Sequence, residues 1–341
     1  MSLKVAINGF GRIGRITLRT LIKRQPNIEI VAINDLADPV TNAHLLKYDT
    51  NYGPFDGSVT MHTNSMLVNG SSISVFAERD WTSLKWDALG VDLVIECTGV
   101  GTNRHMATKH LTAGANKVLI SAPSTEVDVM VVLGVNHDQY DPHNHHLISN
   151  ASCTTNGLAP PLKVLHARYG IAKGQMTTVH SFTNTQSLLD LESQDLRDAR
   201  AASSNIVPAS TGAARAIGVI IPELSGRLDG ASYRVPTPTV SIVEFVALLE
   251  QSTTAEDINA TLRKEAQGSL KGILDVSDEP LVSMDLKSNE HSSIVDSGST
   301  MVVDGNLAKV AAWYDNEWGY SCRLADMAAH ILQGLTSAKQ N

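Results

Sequence analysis

L-K-V-A-I-N-G-F-G-R-I-G-R, residues Leu3–Arg15, decides the fold of this chain. Leu3–Ile7 is a short apolar run typical of a buried strand, and a helical apolar pattern follows the segment. Gly9, Gly11 and Gly14 form G-x-G-x-x-G between the two. Glycines in this order let the backbone approach a pyrophosphate at the N-terminus of a helix.

An acidic residue follows the second predicted strand. This strand, Glu29–Asn34, ends at Asp35, about twenty residues beyond the last glycine, as in dinucleotide-binding units. The carboxylate there can accept hydrogen bonds from both hydroxyls of an adenosine ribose. Strand, glycines, helix, strand and acid in this order predict a dinucleotide-binding unit. The alternative is a glycine turn in an ordinary α/β unit with a solvated Asp35.

Strand and helix patterns continue to alternate through the first 150 residues. The predicted elements are strand Val91–Ile95, helix Arg104–Ala113, strand Lys117–Ile120 and strand Val129–Val135. Alternation of this kind predicts a doubly wound parallel sheet, with a cofactor at strand ends such as Thr98 and Ser121. Arg79 lies either near an adenine or, as a solvated side chain, on the surface. Cys97 is expected in the core.

I-S-N-A-S-C-T-T-N, residues Ile148–Asn156, contains the strongest candidate for a nucleophile. Ser152 can cap the helical pattern that follows, which puts Cys153 at or just before a helix N-terminus. Backbone N–H groups and the helix dipole favour a thiolate there, so Cys153 is expected to be nucleophilic at neutral pH. The alternative is a small buried residue, but hydroxyls and amides on both sides disfavour an apolar pocket.

Beyond the nucleophile segment, strands and helices no longer alternate regularly in the predicted order. Strand Met176–His180 ends at a His, which is the general base expected near a thiol nucleophile. Thr211 and Gly212 precede helix Ala213–Ile220, and Arg234 can add a charged contact, so this region predicts pockets for phosphate. The remaining predicted strands, Val240–Leu249, Leu281–Asp285, Met301–Val303 and Leu307–Trp313, indicate an antiparallel or mixed sheet. The sequence therefore predicts an α/β Rossmann domain followed by an α+β catalytic domain.

Composition excludes several other classes of protein. A length of 341 residues suggests about two domains, and a net charge of -8 disfavours a general nucleic-acid surface. Three distant cysteines form no disulfide framework, and we expect Cys322 in the core. No apolar run reaches transmembrane length, so no membrane partner is expected. The four histidines His137, His143, His145 and His146 lie in a polar loop, and we predict no metal.

Six motifs together resemble one family. I-N-G-F-G-R-I-G-R, A-S-C-T-T-N, T-T-V-H-S, S-T-G-A-A, R-V-P-T-P and W-Y-D-N-E-W-G-Y occur in the order and spacing of phosphorylating glyceraldehyde-3-phosphate dehydrogenases. The resemblance covers essentially the whole chain. It implies a cytoplasmic homotetramer that oxidises glyceraldehyde 3-phosphate with NAD and inorganic phosphate, in glycolysis or gluconeogenesis. It also implies an NAD-binding domain of residues 1–151 with helix 318–341, and a catalytic domain of residues 152–317.

The resemblance assigns roles to individual residues. It implies Cys153 as nucleophile and His180 as base, which form a hemithioacetal and then a thioester. The implied cofactor residues are Gly9, Gly11, Arg12, Ile13, Gly14, Asp35, Arg79, Ser121 and Asn316. Thr183 and Arg234 would hold the phosphate of the substrate. Inorganic phosphate would lie at Ser152, Thr154, Thr211 and Gly212, with a contribution from Arg197.

Two departures and two alternatives accompany the resemblance. Gly157 stands where many members carry a second Cys, and Thr185 stands where an Asp is frequent. Residues 181–200 resemble a branch with dual-cofactor members, but Asp35 favours NAD, with NADP as the weaker alternative. Erythrose-4-phosphate dehydrogenase is the nearest rival enzyme. A non-catalytic NAD-binding regulator is the rival from another class, but no DNA-binding or extra partner module is visible.

Overall fold

The chain divides into two compact units. A computed structural model describes residues 3–338. The first unit comprises Met1–Val131, His137–Ala151 and Ser321–Asn341, and the second comprises Val132–Asn136 and Ser152–Tyr320. The domain ranges expected from the sequence include residues 1, 2 and 339–341, which lie outside the described residues.

The first unit alternates strands and helices. Its elements up to residue 151 are β1 (Leu3–Asn8), α1 (Arg12–Arg24), β2 (Ile28–Asn34), α2 (Pro39–Lys47), β3 (Tyr48–Asp49), β4 (Gly53–Pro54), β5 (Val59–Met61), β6 (Ser65–Val68), β7 (Ser71–Phe76), α3 (Trp86–Leu89), β8 (Leu93–Glu96), α4 (Arg104–Thr112), β9 (Lys117–Ile120), β10 (Val129–Met130) and β11 (Leu147–Ser149). β3 and β4 form a separate hairpin.

Nine of these strands form one sheet in the order β10-β11-β9-β8-β1-β2-β7-β6-β5. The strands from β10 to β7 run parallel, and β6 and β5 add an antiparallel edge. From β1 the chain first adds β2 and then β5–β7 on one side of β1. It then adds β8, β9, β10 and β11 on the other side of β1. The strand order reverses between β1 and β8, and a crevice for a ligand opens at such a point. The doubly wound parallel sheet expected from the sequence is confirmed.

The second unit contains the remaining elements. They are α5 (Cys153–Tyr169), β12 (Ile171–Ser181), β13 (Val207–Ala209), α6 (Ala213–Ile220), β14 (Leu228–Val235), β15 (Ser241–Leu249), α7 (Ala255–Gln267), β16 (Leu274–Ser277), β17 (Ser293–Asp296), β18 (Met301–Val303), β19 (Leu307–Tyr314) and the start of α8 (Trp318–Ala338), whose remainder belongs to the first unit.

The sheet of the second unit is mixed. Its order is β13-β14-β12-β15-β19-β17-β16, with β18 on β19. β12 is parallel to β14 and antiparallel to β15. Alternate residues of β15 are buried, as expected when one face of a sheet packs against helices. Helix α5 packs on this sheet against β12, β15, β17 and β19, and its first residues contact His180 near the end of β12 and Tyr314 at the end of β19.

Two predicted strands are wrong over most or all of their length. Only Val129–Met130 of the run Val129–Val135 is a strand, because Gly134 adopts φ +82° and the side chain of Asn136 accepts the N–H of Val132. Leu281–Asp285 is not a strand, since its last residues belong to a 3₁₀ helix. The Asp285 carboxylate accepts the N–H of Val282, and a local bond of this kind competes with a sheet ladder.

The cysteines outside the nucleophile segment differ in exposure. Cys322 is fully buried in α8, as predicted. The prediction of a core Cys97 is wrong, because Cys97 is only partly buried at the end of β8. Burial still raises the pKa of its thiol to about 12. Among the helices of residues 3–338, none combines the length and apolarity needed to cross a bilayer.

Candidate active site

Cys153 is the first residue of α5, as predicted. Ser152 is the N-cap, and its hydroxyl accepts the backbone N–H of Thr155 at 3.0 Å. The preceding Ala151 is fully buried with φ +55°, a left-handed conformation that is uncommon for a residue with a Cβ. The cap and this sharp turn fix the direction in which the Cys153 side chain leaves the helix.

His180 faces the thiol from the neighbouring strand. Its Nε2 lies 3.5 Å from Sγ of Cys153, within hydrogen-bond distance for sulfur. Its Nδ1 lies 2.6 Å from the carbonyl oxygen of Ser181. The His180 side chain is 4% exposed, near the end of β12. The structure therefore brings together the two residues that the sequence suggested as nucleophile and base.

Arg234 completes this cluster. It is the register partner of His180 in the parallel ladder of β12 and β14, and register partners on neighbouring strands face the same side of a sheet. Its Nη1 lies 2.5 Å from Nδ1 of His180. The same atom lies 3.4 Å from the carbonyl oxygen of Ser181. Arg234 thus contacts the base directly, which the sequence did not indicate.

The pKa values of this cluster favour a neutral pair. Burial raises the pKa of the Cys153 thiol, and this exceeds the lowering by Arg234 and by the N–H groups of Thr154 and Cys153. Burial and the Arg234 cation lower the pKa of His180 to about 3. The expected stabilisation of the Cys153 thiolate by the helix N-terminus is therefore present but is not the largest effect on the thiol pKa. The helix N-terminus acts in the expected direction, but burial outweighs it.

Tyr314 is a functional neighbour that the sequence analysis missed. Its hydroxyl lies 3.0 Å from Oγ1 of Thr154 and 2.8 Å from Oγ1 of Thr178, which ties α5 to β12. Its ring meets the ring of His180 edge-on, with centroids 5.9 Å apart. A Cβ on Gly157 would lie 3.0 Å from the Tyr314 ring, so the glycine gives this ring room. Only the pairing of distant strands reveals this arrangement.

A cleft of about 400 Å³ lies in the first unit at the carboxyl ends of β1, β2 and β8. Of the predicted cofactor residues, Gly9, Gly11, Asp35 and Arg79 line it. Thr98, at the end of a predicted strand, lines the cleft as well. The other lining residues are Asn8, Asn34, Leu36, Glu78, Trp81, Cys97, Val100 and Met106. Asn8 and Asn34 end their strands, a signal that could have identified them.

The residues of this cleft fit a dinucleotide. Gly9 has φ +87°, and a Cβ there would lie 2.6 Å from the backbone nitrogen of Thr98. Gly11 caps α1 without a side chain, which leaves the N–H groups of the first turn open to an anion. The Asp35 carboxylate accepts the N–H groups of Phe10 at 2.6 Å and Ala37 at 2.8 Å, which holds it at the rim.

The other predicted cofactor residues are not among those that line this cleft. Arg12 starts α1 and forms an ion pair with Asp49. Ile13 and Gly14 follow in the same helix, and a Cβ on Gly14 would lie 2.1 Å from the carbonyl oxygen of Gly9. Ser121 follows β9 and donates its backbone N–H to the backbone carbonyl oxygen of Glu96. Asn316 belongs to the second unit, just after β19.

The predicted phosphate residues are only partly brought together. Ser152, Thr154 and Arg234 lie around the Cys153–His180 pair. The Thr183 hydroxyl lies 3.0 Å from that of Thr185, the position where an Asp is frequent.

The remaining members of this set lie in other segments. Thr211 and Gly212 precede α6, and the Thr211 hydroxyl accepts the N–H of Ala213. Arg197 lies in an exposed turn.

The histidine-rich loop has local partners. The backbone N–H of Asp141 donates to Nδ1 of His145 at 3.0 Å, and His146 contacts the carbonyl oxygen of Asn116. Within the described part of the chain, no group of three or more His, Cys, Asp or Glu side chains is arranged to hold a metal ion. The absence of a metal stays a prediction.

The fold, the cleft of the first unit and the Cys153–His180 pair define a class of enzyme. A doubly wound sheet with a dinucleotide cleft and a unit with a paired thiol and imidazole are typical of nicotinamide-dependent dehydrogenases that act through a Cys. Family models agree. Residues 3–104 match the glyceraldehyde 3-phosphate dehydrogenase NAD binding domain, and residues 152–316 match the C-terminal domain of the same family.

Curated relatives extend the match to nearly the whole chain. The chain is 56% identical over 331 residues to a glyceraldehyde-3-phosphate dehydrogenase of Geobacillus stearothermophilus, covering 97% of this chain and 98% of the relative. It is 55% identical, at the same coverage, to glyceraldehyde-3-phosphate dehydrogenase 1 of Bacillus subtilis (strain 168). The chain belongs to the glyceraldehyde-3-phosphate dehydrogenase family. It is an enzyme of that family, and its cofactor is NAD.

Proposed function

We propose that this chain oxidises D-glyceraldehyde 3-phosphate with NAD and inorganic phosphate and releases 1,3-bisphosphoglycerate. The observation that carries the proposal is the 3.5 Å contact between Sγ of Cys153 and Nε2 of His180 at the start of α5. Membership of the family supplies the substrate class. In this proposal the first unit binds the cofactor and the second unit performs the chemistry.

The first step uses the neutral pair. Sγ of Cys153 attacks the aldehyde carbon while its proton passes to Nε2 of His180, which lies 3.5 Å away. This step uses the tautomer in which Nδ1 donates to the carbonyl oxygen of Ser181 and Nε2 is the acceptor. The backbone N–H of Cys153 and the protonated imidazole stabilise the oxyanion, which becomes the hydroxyl of a hemithioacetal.

Oxidation and phosphorolysis follow on the same sulfur. The chemistry that bound NAD supplies is acceptance of one hydride from the hemithioacetal carbon. His180 takes the hydroxyl proton as the carbonyl reforms, and the acyl group stays on Cys153 as a thioester. A phosphate oxygen then attacks the acyl carbon and displaces the sulfur, which regains its proton from His180, while the phosphate proton passes to solvent and the acyl phosphate is released. The thioester preserves the energy of oxidation that hydrolysis would lose.

Two anion positions serve the proposed reaction. Thr183 and Arg234 hold the phosphate of the aldehyde, and the five donors of a guanidinium allow Arg234 to contact both His180 and phosphate oxygens. Inorganic phosphate is held by Ser152, Thr154, Thr211 and Gly212, with Arg197. The surroundings of Gly212 support this role. No atom lies within 4 Å of the position that a Cβ would take there, so there is room for a ligand, and the N-terminus of α6, which Gly212 caps, favours an anion.

The proposed cofactor residues follow the cleft of the first unit. Gly9, Gly11, Arg12, Ile13 and Gly14 hold the pyrophosphate. Asp35 binds the adenosine ribose, Arg79 lies by the adenine, and Ser121 and Asn316 contact the nicotinamide end. The fixed Asp35 carboxylate disfavours a 2′-phosphate by like charge, which favours NAD over NADP.

We also propose a cytoplasmic homotetramer that works in glycolysis or gluconeogenesis. Leu188, Leu189, Leu191 and Leu196 are between 60% and 83% exposed within one segment. Several exposed leucines on one segment support a contact with another subunit, because water-exposed apolar patches of this kind mark association sites. Light scattering on the purified chain should give four times the mass of 36.6 kDa. A monomer would contradict the assembly.

Steady-state rates test the proposed reaction. We expect rapid NAD reduction with D-glyceraldehyde 3-phosphate that depends on inorganic phosphate, and a lower kcat/KM with erythrose 4-phosphate. Without phosphate, one equivalent of NADH per Cys153 should form in a burst. The variant Cys153→Ala should lose the burst, whereas Cys322→Ala, which changes a buried Cys distant in sequence, should retain it. A higher kcat/KM with erythrose 4-phosphate would reassign the substrate.

A further inference from the structure

The side-chain amide of Asn316 is held in one orientation by two buried serines. Its Oδ1 accepts the hydroxyl of Ser181 at 2.9 Å and the hydroxyl of Ser241 at 3.0 Å. Ser181 is 0% exposed, Ser241 is 1% and Asn316 is 5%. The two serines are neighbours at strand ends, since Ser181 ends β12 and Ser241 begins β15. The oxygen of this amide therefore points inward.

The hydrogen bonds of the two serines disfavour the flipped amide. Oγ of Ser241 already accepts the backbone N–H of Ser181 at 3.1 Å, so its own proton needs an acceptor, and Oδ1 of Asn316 is that acceptor. With the amide rotated by half a turn, both buried hydroxyl protons would lose their acceptor. An unsatisfied buried donor costs about 1–3 kcal/mol. One orientation is therefore strongly favoured.

The backbone next to Asn316 is also fixed. The carboxylate of Asp315 accepts the hydroxyl of Thr239 at 3.1 Å and the backbone N–H of Trp318 at 2.9 Å. Its other oxygen accepts the N–H of Ser288 at 2.9 Å. Within residues 3–338 the amide nitrogen of Asn316 has no hydrogen-bond partner. The chain thus presents a rigidly held N–H donor at this position.

We propose that Ser181 and Ser241 are positioning residues that make Asn316 a donor only, and so select cofactors whose pyridine carries a hydrogen-bond acceptor at that point. The inference rests on the proposed contact between Asn316 and the nicotinamide end of NAD. The carboxamide of NAD can rotate to offer either its oxygen or its nitrogen. The acetyl group of 3-acetylpyridine adenine dinucleotide offers only an oxygen, so it distinguishes the two amide orientations.

Equilibrium binding tests the inference. The dissociation constants of NAD and of 3-acetylpyridine adenine dinucleotide are measured by calorimetry for the intact chain and for Ser181→Ala, Ser241→Ala and the double variant. We expect the ratio of the analogue constant to the NAD constant to rise about twofold in the double variant, because a freed amide offers its N–H in only one of two orientations, and NAD can pair with both. Each single variant should give a smaller rise. Asn316→Asp, which presents only an oxygen, should raise the ratio at least as much as the double variant.

A matched variant controls for lost packing. Thr300→Val removes a buried hydroxyl that donates to Oδ1 of Asn259 at 2.8 Å in the same unit, and it should leave the ratio unchanged. Thermal unfolding of every variant shows that it is folded. Ser181→Ala is the milder variant, because Ser241→Ala also removes the acceptor of the Ser181 N–H.

The remaining outcomes separate the inference from the proposed function. An unchanged ratio in the double variant, with a raised ratio in Asn316→Asp, would overturn the positioning role but keep Asn316 as a cofactor contact. An unchanged ratio in both would overturn the inference and remove Asn316 from the cofactor site. Failure of the intact chain to oxidise D-glyceraldehyde 3-phosphate would instead contradict the proposed reaction, whatever the binding ratio.

Discussion

Nη1 of Arg234 lies 2.5 Å from Nδ1 of His180, on the side of the imidazole opposite Cys153. Nδ1 also lies 2.6 Å from the carbonyl oxygen of Ser181, which can only accept a hydrogen bond, whereas the guanidinium can only donate one. The two partners therefore favour opposite tautomers. Donation to Ser181 makes Nε2 an acceptor for the thiol proton, and acceptance from Arg234 makes Nε2 a donor to the sulfur.

Arg234→Leu should weaken recognition of the phosphorylated aldehyde. We expect KM for D-glyceraldehyde 3-phosphate to rise far more than KM for unphosphorylated glyceraldehyde, since loss of a desolvated charged contact costs about 2–5 kcal/mol. Steady-state kinetics with both aldehydes measure this. Arg227→Leu, which removes an exposed partner of Glu250, is the control. An unchanged preference between the two aldehydes would remove Arg234 from the phosphate site.

His180 should make stability fall in acid. Its pKa is lowered from 6.5 to about 3 on folding, so between these pH values the unfolded chain binds a proton that the folded chain does not. The free energy of unfolding should therefore decrease as pH falls from 6.5 towards 3, by up to about 1.4 kcal/mol per pH unit from this group. Urea unfolding of His180→Gln at pH 6.5 and 4.5 should show a smaller decrease. Identical pH dependence in both proteins would contradict the lowered pKa.

Cys153 should alkylate before the other two cysteines at neutral pH. His180 can take its proton, whereas Cys322 is fully buried and burial raises the pKa of Cys97 to about 12. Mass spectrometry of peptides after brief iodoacetamide treatment measures the order. His180→Gln should slow labelling of Cys153, because the thiol pKa is itself raised by burial. Equal labelling of all three cysteines would contradict the expected order.

Tyr314→Phe should destabilise the second unit. The change removes the buried partner of the Thr154 hydroxyl, whereas the Thr178 hydroxyl keeps its bond to the carbonyl oxygen of Ile242. The free energy of unfolding should therefore fall by about 1–3 kcal/mol, the cost of one unsatisfied buried group. The midpoint of denaturant unfolding measures this loss. Tyr233→Phe removes the hydroxyl of a Tyr that is 38% exposed and should change the midpoint little. Equal midpoints for the two variants would show that the buried hydroxyl contributes nothing.

Asp35→Asn should reduce the preference for NAD. The amide keeps an oxygen for the N–H of Phe10 but loses the charge that opposes a 2′-phosphate. The ratio of kcat/KM for NAD to that for NADP should fall at least about tenfold, since like charges 4 Å apart cost roughly 1–4 kcal/mol near a protein surface. Asp38→Asn, at the exposed cap of α2, should not change the ratio. Equal use of both cofactors by the intact chain would mean that Asp35 does not meet the ribose.

Features that depend on local pattern can be predicted from the order of residues alone. The glycines after β1, the acid after β2 and the cap before Cys153 follow from periodicity, turn chemistry and helix capping, which act over a few residues. For the same reason, the bounds of β9 and α6 were predicted to the residue. The run Val129–Val135 was misread because an apolar run alone cannot reveal that the side chain of Asn136 captures a backbone N–H.

The effects of the reactive groups on one another depend on the pairing and packing of segments that are distant in sequence. The register between β12 and β14 puts Arg234 beside His180, although the two are 54 residues apart in sequence. Burial, which depends on everything packed around Cys153, reversed the shift in thiol pKa expected from the helix N-terminus. The serines that orient Asn316 meet it because three strands end together, since strand pairing rather than sequence distance sets which side chains are neighbours.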